Sequence, residues 1–225
     1  MFVALLRKEL RQLRLWGLAA GAVLLLYALG QTDAMQRLLQ GSGMVNYNPL
    51  YSAQSPFLQN DGFDEAYNVL MMLCGIMLGF AQIAGEQMRK TWQFLLHRPV
   101  SRGLILTAKL LAGTLWYAVA VGVPLALLSG YAIVPGHYAA PWRFSMLYPF
   151  AVMAMAGWLG YLSGVQMALR RARWYGTRFA ALPAAVLLAM LAWIQDTPLA
   201  ACILLMMGAL LLIWAAIVAI YRREI

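Results

Sequence analysis

The class of fold is decided by residues 198–220, PLAACILLMMGALLLIWAAIVAI, which contain no charged side chain. A helix needs roughly 20 mainly apolar residues to cross the ~30 Å hydrocarbon core of a bilayer. Because this stretch meets that length without interruption, it predicts a transmembrane helix.

The composition of the whole chain indicates an integral membrane protein. Of its 225 residues, 63% are hydrophobic and 11% are charged, and the mean hydropathy is +0.70. A soluble domain is typically about 45–50% apolar and about 25% charged. A net charge of +9 is also found in nucleic-acid-binding proteins, but here Lys and Arg lie at the ends of apolar stretches rather than on one soluble face. We therefore expect a lipid bilayer as partner and no nucleic acid.

The same length criterion predicts an all-α membrane protein with six transmembrane helices in a single domain, residues 1–225. The predicted spans lie at approximately 15–30, 66–84, 103–134, 144–168, 179–195 and 198–220. The fifth and sixth spans are joined only by a tight hairpin, QDTP, which places Pro198 at the start of the sixth helix.

The basic residues predict the orientation of these spans, because Lys and Arg are retained on the cytoplasmic side. All but Arg37 and Arg143 of the 17 Lys and Arg residues fall on one side of the predicted membrane. Both termini are therefore predicted to be cytoplasmic, in a multi-pass protein of the cell inner (cytoplasmic) membrane. Residues 31–65 become the long extracytoplasmic loop. Its aromatic side chains are interpreted as resting on the membrane interface, with a substrate-handling lid as the alternative.

Residues 1–14 combine a basic face with an apolar one. The basic residues are Arg7, Lys8, Arg11 and Arg14, and the opposite stripe consists of Phe2, Val3, Leu6, Leu10 and Leu13. This pattern is typical of an amphipathic helix that lies in the plane of the lipid headgroups. A cleaved signal peptide is the alternative, although a signal sequence has no need of such a stripe.

The inventory of reactive side chains argues against several enzyme classes. The chain has two histidines, no H-E-x-x-H pattern and no Cys/His cluster with metal-ligand spacing, so we expect no catalytic metal site. It lacks the G-x-x-x-x-G-K-[ST] motif and cannot hydrolyse ATP through a phosphate-binding loop of its own. The 14 methionines would suit Cu(I), but packing is the favoured interpretation. We predict that the chain is not an enzyme and holds no cofactor.

Polar residues within the predicted spans are few, which argues against ion-coupled transport. Lys109 lies near a cytoplasmic end, from which its ammonium group can extend into water, and Glu86 lies at a span boundary. We interpret the uncharged residues Asn68, Gln82 and Gln166 as interhelical hydrogen-bond partners rather than ligands.

A charged passage, residues 85–111, separates the second and third spans and reads GEQMRKTWQFLLHRPVSRGLILTAKLL. Wound as a helix, residues 87–97 separate an apolar face from a polar one, which predicts an amphipathic helix parallel to the membrane. Phe94 breaks this pattern, because it falls on the polar, cytosol-facing side. Pro99 ends the helix, and Ser101 is the predicted N-cap of the third span.

In this passage the sequence resembles the membrane subunits of type-2 ATP-binding-cassette (ABC) transporters. That family often shows the pattern E-x-x-x-G-T-x-x-x-L-L-x-x-P-[IV]-S-R-x-x-[IL]-x-x-x-K. The matching residues are Glu86, Thr91, Leu95, Leu96, Pro99, Val100, Ser101, Arg102, Ile105 and Lys109. The sequence departs from the pattern at Lys90, where Gly is common. Six spans, a basic amphipathic N-terminus, cytoplasmic termini and a large outer loop agree with the layout of the family.

The resemblance implies the permease subunit of an ABC exporter. A separate cytoplasmic ATPase subunit would bind ATP and Mg²⁺, and the permease would pair with a second permease chain, identical or different. Residues 1–14 would form an elbow helix at the membrane surface, and residues 86–100 the coupling helix that docks on the ATPase. The residues expected to take part in ATPase coupling are Glu86, Arg89, Lys90, Phe94, His97, Pro99 and Arg102.

Two hypotheses concern individual residues of this contact. Phe94 either enters the ATPase as a buried anchor or packs against another loop of this chain. Glu86 is expected to tie the coupling helix to the ends of the spans by pairing with a nearby cation, for which the candidates are Arg89, Arg102 and Lys109.

The competing class for the whole chain is a non-transporting integral membrane scaffold or sensor subunit that binds a cytoplasmic partner. Within the permease interpretation, a hydrophobic peptide, an antibiotic or a lipid-like molecule fits a cavity lined by aliphatic and aromatic spans better than a hydrophilic polymer. The sequence does not identify the substrate further.

Overall fold

The computed structural model describes residues 2–30, 63–88, 101–134, 144–170, 179–195 and 197–221. A short 3-10 helix, Phe144–Leu147, precedes the fourth α-helix. The α-helices are α1 (Phe2–Gly30), α2 (Phe63–Met88), α3 (Arg102–Ile133), α4 (Tyr148–Leu169), α5 (Ala181–Trp193) and α6 (Pro198–Tyr221). These ranges contain no strand, and the prediction of an all-α fold with six helices is confirmed.

Five of the six helices, α1 to α4 and α6, are long and apolar enough to cross a membrane. The remaining helix, α5, has 13 residues, which corresponds to about 20 Å at 1.5 Å per residue. It is therefore shorter than the span predicted at 179–195. One end of α5 is set by a turn, in which the N–H of Gln195 donates to the carbonyl of Ala192 at 3.3 Å.

A single continuous helix of 29 residues, α1, joins the predicted elbow segment, residues 1–14, to the first predicted span. Part of the apolar stripe of the elbow segment packs inside the protein, since Leu13 is fully buried and Leu6 and Leu10 pack against the core. The stripe therefore contributes to contacts with neighbouring helices. The placement of residues 1–14 at the membrane surface stays a prediction.

The most buried helix of the bundle is α4. In an apolar stretch of 18 residues within α4, 78% of the residues are buried, against 28–33% in the corresponding stretches of the other four long helices. It packs on α2, α5 and α6, whereas α1 packs chiefly on α3. Large hydrophobic side chains are exposed on the outward faces of the other helices, as expected for a bundle surrounded by lipid.

Helices α2 and α4 pack backbone to backbone along a line of glycines, which we call the glycine seam. A Cβ added at Gly75 would overlap the carbonyl oxygen of Gly157, and one added at Gly79 would overlap the carbonyl oxygen of Tyr161. Small residues allow such close approach in membranes, where neighbouring helices gain little from hydrophobic burial. The seam consists of Gly75, Gly79, Gly157, Gly160 and Gly164.

The extracytoplasmic loop predicted at 31–65 lies outside the described residues as far as residue 62. Helix α2 begins at Phe63, three residues before the predicted span. At the other end of the chain, residues 222–225 also lie outside the described residues.

Candidate functional site

Four charged side chains from three helices form a closed ring of ion pairs, which we call the charge ring. Lys8 and Glu9 come from α1, Glu86 from α2 and Lys109 from α3. The Lys109 Nζ atom lies 3.0 Å from Glu9 Oε2 and 2.7 Å from Glu86 Oε2. The Lys8 Nζ atom lies 3.1 Å from Glu86 Oε1 and 3.7 Å from Glu9 Oε1. Each cation therefore faces both carboxylates, and the formal charges of the ring cancel.

Three members of the charge ring are buried. Glu9, Glu86 and Lys109 are 0%, 1% and 1% exposed, whereas the side chain of Lys8 is 48% exposed. Removing an ion from water costs several kcal/mol, so a buried carboxylate is tolerated when a cation compensates it. Lys109 supplies that compensation to α1 by donating to both carboxylate oxygens of Glu9 at 3.0 Å.

The position of Lys109 corrects one sequence prediction. Its side chain does not extend into water but is buried between two carboxylates, because two buried acids attract the ammonium group more strongly than the distant solvent does. The predicted pairing of Glu86 with a nearby cation is confirmed: among the three candidates Lys109 is a partner, and Lys8, which was not a candidate, is another. Of the other two candidates, Arg102 is the first residue of α3 and Arg89 lies outside the described residues.

Glu9 belongs to the ring but was not among the predicted site residues. It is the one acid in a basic segment, which made a solvated position the simplest interpretation. A signal was present nonetheless: on the helical wheel of residues 1–14, Glu9 lies on the side of Leu6 and Leu13 rather than on the basic face. An acid on the apolar side of a membrane-proximal helix indicates a buried pair.

An uncharged polar layer lies next to the ring. The Gln82 Nε2 atom of α2 donates to the carbonyl oxygen of Lys109 at 2.8 Å, and the Tyr161 hydroxyl of α4 donates to Gln82 Oε1 at 2.9 Å. Gln82 precedes Glu86 by one helical turn, so both side chains emerge from the same face of α2. The layer therefore connects α2 and α3 to the buried helix α4.

Gln166 and Asn68, the other two uncharged residues predicted to join helices, differ in their hydrogen bonds. The Gln166 Nε2 atom donates to the carbonyl oxygen of Leu212 on α6 at 2.7 Å, so Gln82 and Gln166 are both interhelical hydrogen-bond partners, as predicted. Asn68 makes no hydrogen bond through its Oδ1 atom within the described parts of the chain.

Two local features hold the ends of α2 and α3 in place. The Gln87 Nε2 atom donates to the carbonyl oxygen of Ala168 on α4 at 2.7 Å, which ties the last turn of α2 to α4. Ser101 caps α3, since its hydroxyl accepts a hydrogen bond from the Leu104 N–H at 3.4 Å. The predicted N-cap is thus confirmed.

The segment between these two helix ends carries most of the predicted site. Helix α2 ends at Met88 and α3 begins at Arg102. Five predicted contact residues lie outside the described residues, namely Arg89, Lys90, Phe94, His97 and Pro99. The structure therefore places two of the seven predicted contact residues, Glu86 and Arg102, and these lie at the two ends of the segment.

No metal site is found in the part of the chain that the structure describes, where no group of three or more His, Cys, Asp or Glu side chains could hold an ion. Both cysteines are free and half-buried. Met71 lies fully buried in the core, which agrees with the interpretation of methionine as packing.

The comparisons with known proteins give one match. The family model described as ABC-2 family transporter protein matches residues 3–221, from the start of α1 to the end of α6. No curated protein and no solved structure gives a significant match to the chain.

Proposed function

Because the chain belongs to the ABC-2 transporter family, in which it is a multi-pass membrane permease, we propose that it exports its substrate with ATP hydrolysed by a separate nucleotide-binding subunit. ATP and Mg²⁺ bind in that partner and not in this chain. A second permease chain completes the translocation path, and both termini face the cytoplasm from the inner membrane. The biased distribution of Lys and Arg supports this orientation.

The charge ring is the observation that supports a role in coupling. Glu86 lies two residues before the end of α2, directly before the segment proposed to contact the ATPase. Its carboxylate is bound to Lys109 of α3 and to Lys8 of α1. A displacement of the segment would therefore act on three helices at once, and Glu86 ties residues 86–100 to the ends of the spans. ATP-driven movement of that segment then shifts the helices between inward-facing and outward-facing arrangements.

Residues of the segment itself form the proposed ATPase contact. Phe94 is the proposed anchor, because an aromatic side chain on a polar helix face gains most by burial in a partner. The cations around it suit an acidic groove. The complete set of residues proposed for ATPase coupling is Glu86, Arg89, Lys90, Phe94, His97, Pro99 and Arg102, of which the buried Glu86 acts through the charge ring and not by touching the ATPase.

Co-purification with the ATPase tests the proposed contact. The chain is co-expressed with a candidate ABC ATPase subunit, and the complex is reconstituted in liposomes, where ATP hydrolysis and the export of a hydrophobic fluorescent peptide are measured. Phe94→Ala is expected to lower complex recovery and ATP hydrolysis at least about tenfold, as for an interface anchor of 1.4 kcal/mol or more. Trp92→Ala, on the predicted apolar side of the same segment, is the matched control and should retain the complex.

Two outcomes count against the proposal. An undiminished complex in Phe94→Ala rejects Phe94 as the anchor. A stable complex whose ATP hydrolysis does not respond to the permease and drives no export would favour the scaffold or sensor alternative.

A further inference from the structure

Three arginines of α1 form an exposed basic face that the charge ring does not use. Arg7, Arg11 and Arg14 are spaced by four and three residues and therefore lie on one side of the helix, where all three are exposed. Glu9 emerges from the opposite side and is buried. Within the described ranges, none of these three arginines is paired with a carboxylate.

The basic face continues into an apolar one along the same side of α1. Leu15 and Leu18 follow Arg11 and Arg14 by one helical turn each and are 79% and 52% exposed. The 29 residues of α1 span about 43 Å, which exceeds the ~30 Å hydrocarbon core. The charged end of the helix therefore reaches the level of the lipid headgroups, while the leucines lie at the level of the acyl chains.

We propose that Arg7, Arg11 and Arg14 bind the headgroup of an anionic phospholipid in the adjoining leaflet, with its acyl chains against Leu15 and Leu18. A guanidinium group binds phosphate oxygens through two parallel hydrogen bonds. Three such groups, which have no carboxylate partner in the described part of the chain, favour a lipid with net negative charge over a zwitterionic one.

The exposed leucines favour a lipid over a soluble partner as the occupant of this face. An acidic protein surface could neutralise the arginines, but it would leave Leu15 and Leu18 in contact with polar groups or water. A phospholipid matches both parts of the face at once. This site lies on the side of α1 away from Glu9 and requires no ATPase, so it goes beyond the proposed transport function and can fail or succeed independently of it.

Native mass spectrometry of the full chain tests the lipid site. The protein is reconstituted in nanodiscs that contain equal amounts of phosphatidylglycerol and phosphatidylcholine with identical acyl chains, and the retained lipid is identified. In the wild type, we expect the amount of bound phosphatidylglycerol to exceed the amount of bound phosphatidylcholine at least about fivefold for the lipid that the protein holds most tightly. The ratio should fall to about one in R7Q/R11Q/R14Q. In R7K/R11K/R14K a reduced preference should remain, because lysine keeps the charge but lacks the planar fork.

A matched control separates the site from the overall charge. R171Q/R173Q/R178Q removes the same number of positive charges from another part of the chain, and its lipid preference should equal that of the wild type. The single variants R7Q, R11Q and R14Q keep the test usable if the triple variant does not fold, since each should lower the preference partially. Circular dichroism confirms the helix content of every variant.

Three results would overturn the lipid site. The first is equal retention of the two lipids by the wild type, and the second is an unchanged preference in R7Q/R11Q/R14Q. The third is an equal loss of preference in R171Q/R173Q/R178Q, which would make the selectivity a property of net charge. If R7Q/R11Q/R14Q keeps the lipid preference but loses the ATPase in co-purification, the face binds the ATPase and the proposal is wrong.

Discussion

The glycine seam and the charge ring join the same helix, α2, to its neighbours in opposite ways. Along the seam, the α2 backbone lies close against the α4 backbone at glycine positions. At the ring, α2 contributes the carboxylate of Glu86, which pairs with the long side chains of Lys8 on α1 and Lys109 on α3. Backbone contacts cannot rearrange without separating the helices, whereas ion pairs of flexible side chains can exchange partners. We infer that α2 and α4 move as one unit, and that the adjustable connection is the one to α1 and α3.

The largest effect is expected from breaking the ring at its buried cation. Lys109→Met leaves Glu9 and Glu86 with Lys8 as their one remaining cation in the ring, so the buried site acquires a net negative charge. Removing one partner of a buried ion pair costs about 3–5 kcal/mol. Thermal or denaturant unfolding of the purified protein in detergent measures the loss. A variant as stable as the wild type would show that the ring contributes little to holding α3 against α1 and α2.

A second test breaks the seam with a single methyl group. In Gly79→Ala the added Cβ overlaps the carbonyl oxygen of Tyr161, and the backbone of α4 has to move, at a cost of about 1–3 kcal/mol. Gly85→Ala is the matched control on the same helix, because nothing lies within 4 Å of its added Cβ. The control should be neutral or more stable by about 0.4–1 kcal/mol. Equal unfolding midpoints for the two variants would contradict the close backbone packing.

Local features of the structure could be predicted from the sequence because they depend on neighbouring residues. The length of an apolar stretch determines where a span lies, and the cap at Ser101 depends on the three residues that follow it. The exception is α5, which ends earlier than its apolar stretch because a turn at Gln195 closes the helix. Apolar composition predicts that a helix forms but not where hydrogen bonding redirects the backbone.

The ring and the seam depend on which helices become neighbours, and the span pattern does not contain that information. Lys109 and Glu9 are 100 residues apart in the chain, so no local spacing relates them. The pairing of Glu86 with Lys109 could be predicted from the sequence, because both residues lie close to the passage between the second and third spans. The helical wheel indicates that Glu9 is buried, but Lys109 could be identified as its partner only once α1 was known to pack on α3.

A charge-balanced double variant sharpens the account of the ring. Glu9→Gln together with Lys109→Met leaves one cation and one carboxylate, Lys8 and Glu86, which lie 3.1 Å apart. The remaining pair is neutral, so the loss of stability in the double variant should be smaller than the sum of the losses in Glu9→Gln and Lys109→Met by about 0.5–3 kcal/mol, the usual coupling between contacting residues. Additive losses in the double-mutant cycle would indicate that Lys109 acts through packing and not through its charge.

The smallest effect on stability is expected at the exposed corner of the ring. Lys8→Gln leaves Lys109 between the two carboxylates, and because the side chain of Lys8 is 48% exposed, water screens most of its interaction. We expect a loss of at most about 1 kcal/mol that shrinks as salt is raised from 0.1 to 0.5 M. Lys8→Arg should restore it. Under the proposed transport function, Lys8 would keep Glu86 paired if α2 separated from α3, and stimulation of the ATPase should then fall in Lys8→Gln even though stability changes little. If both properties remain at wild-type levels, the ring holds α2 through Lys109 alone and does not exchange partners.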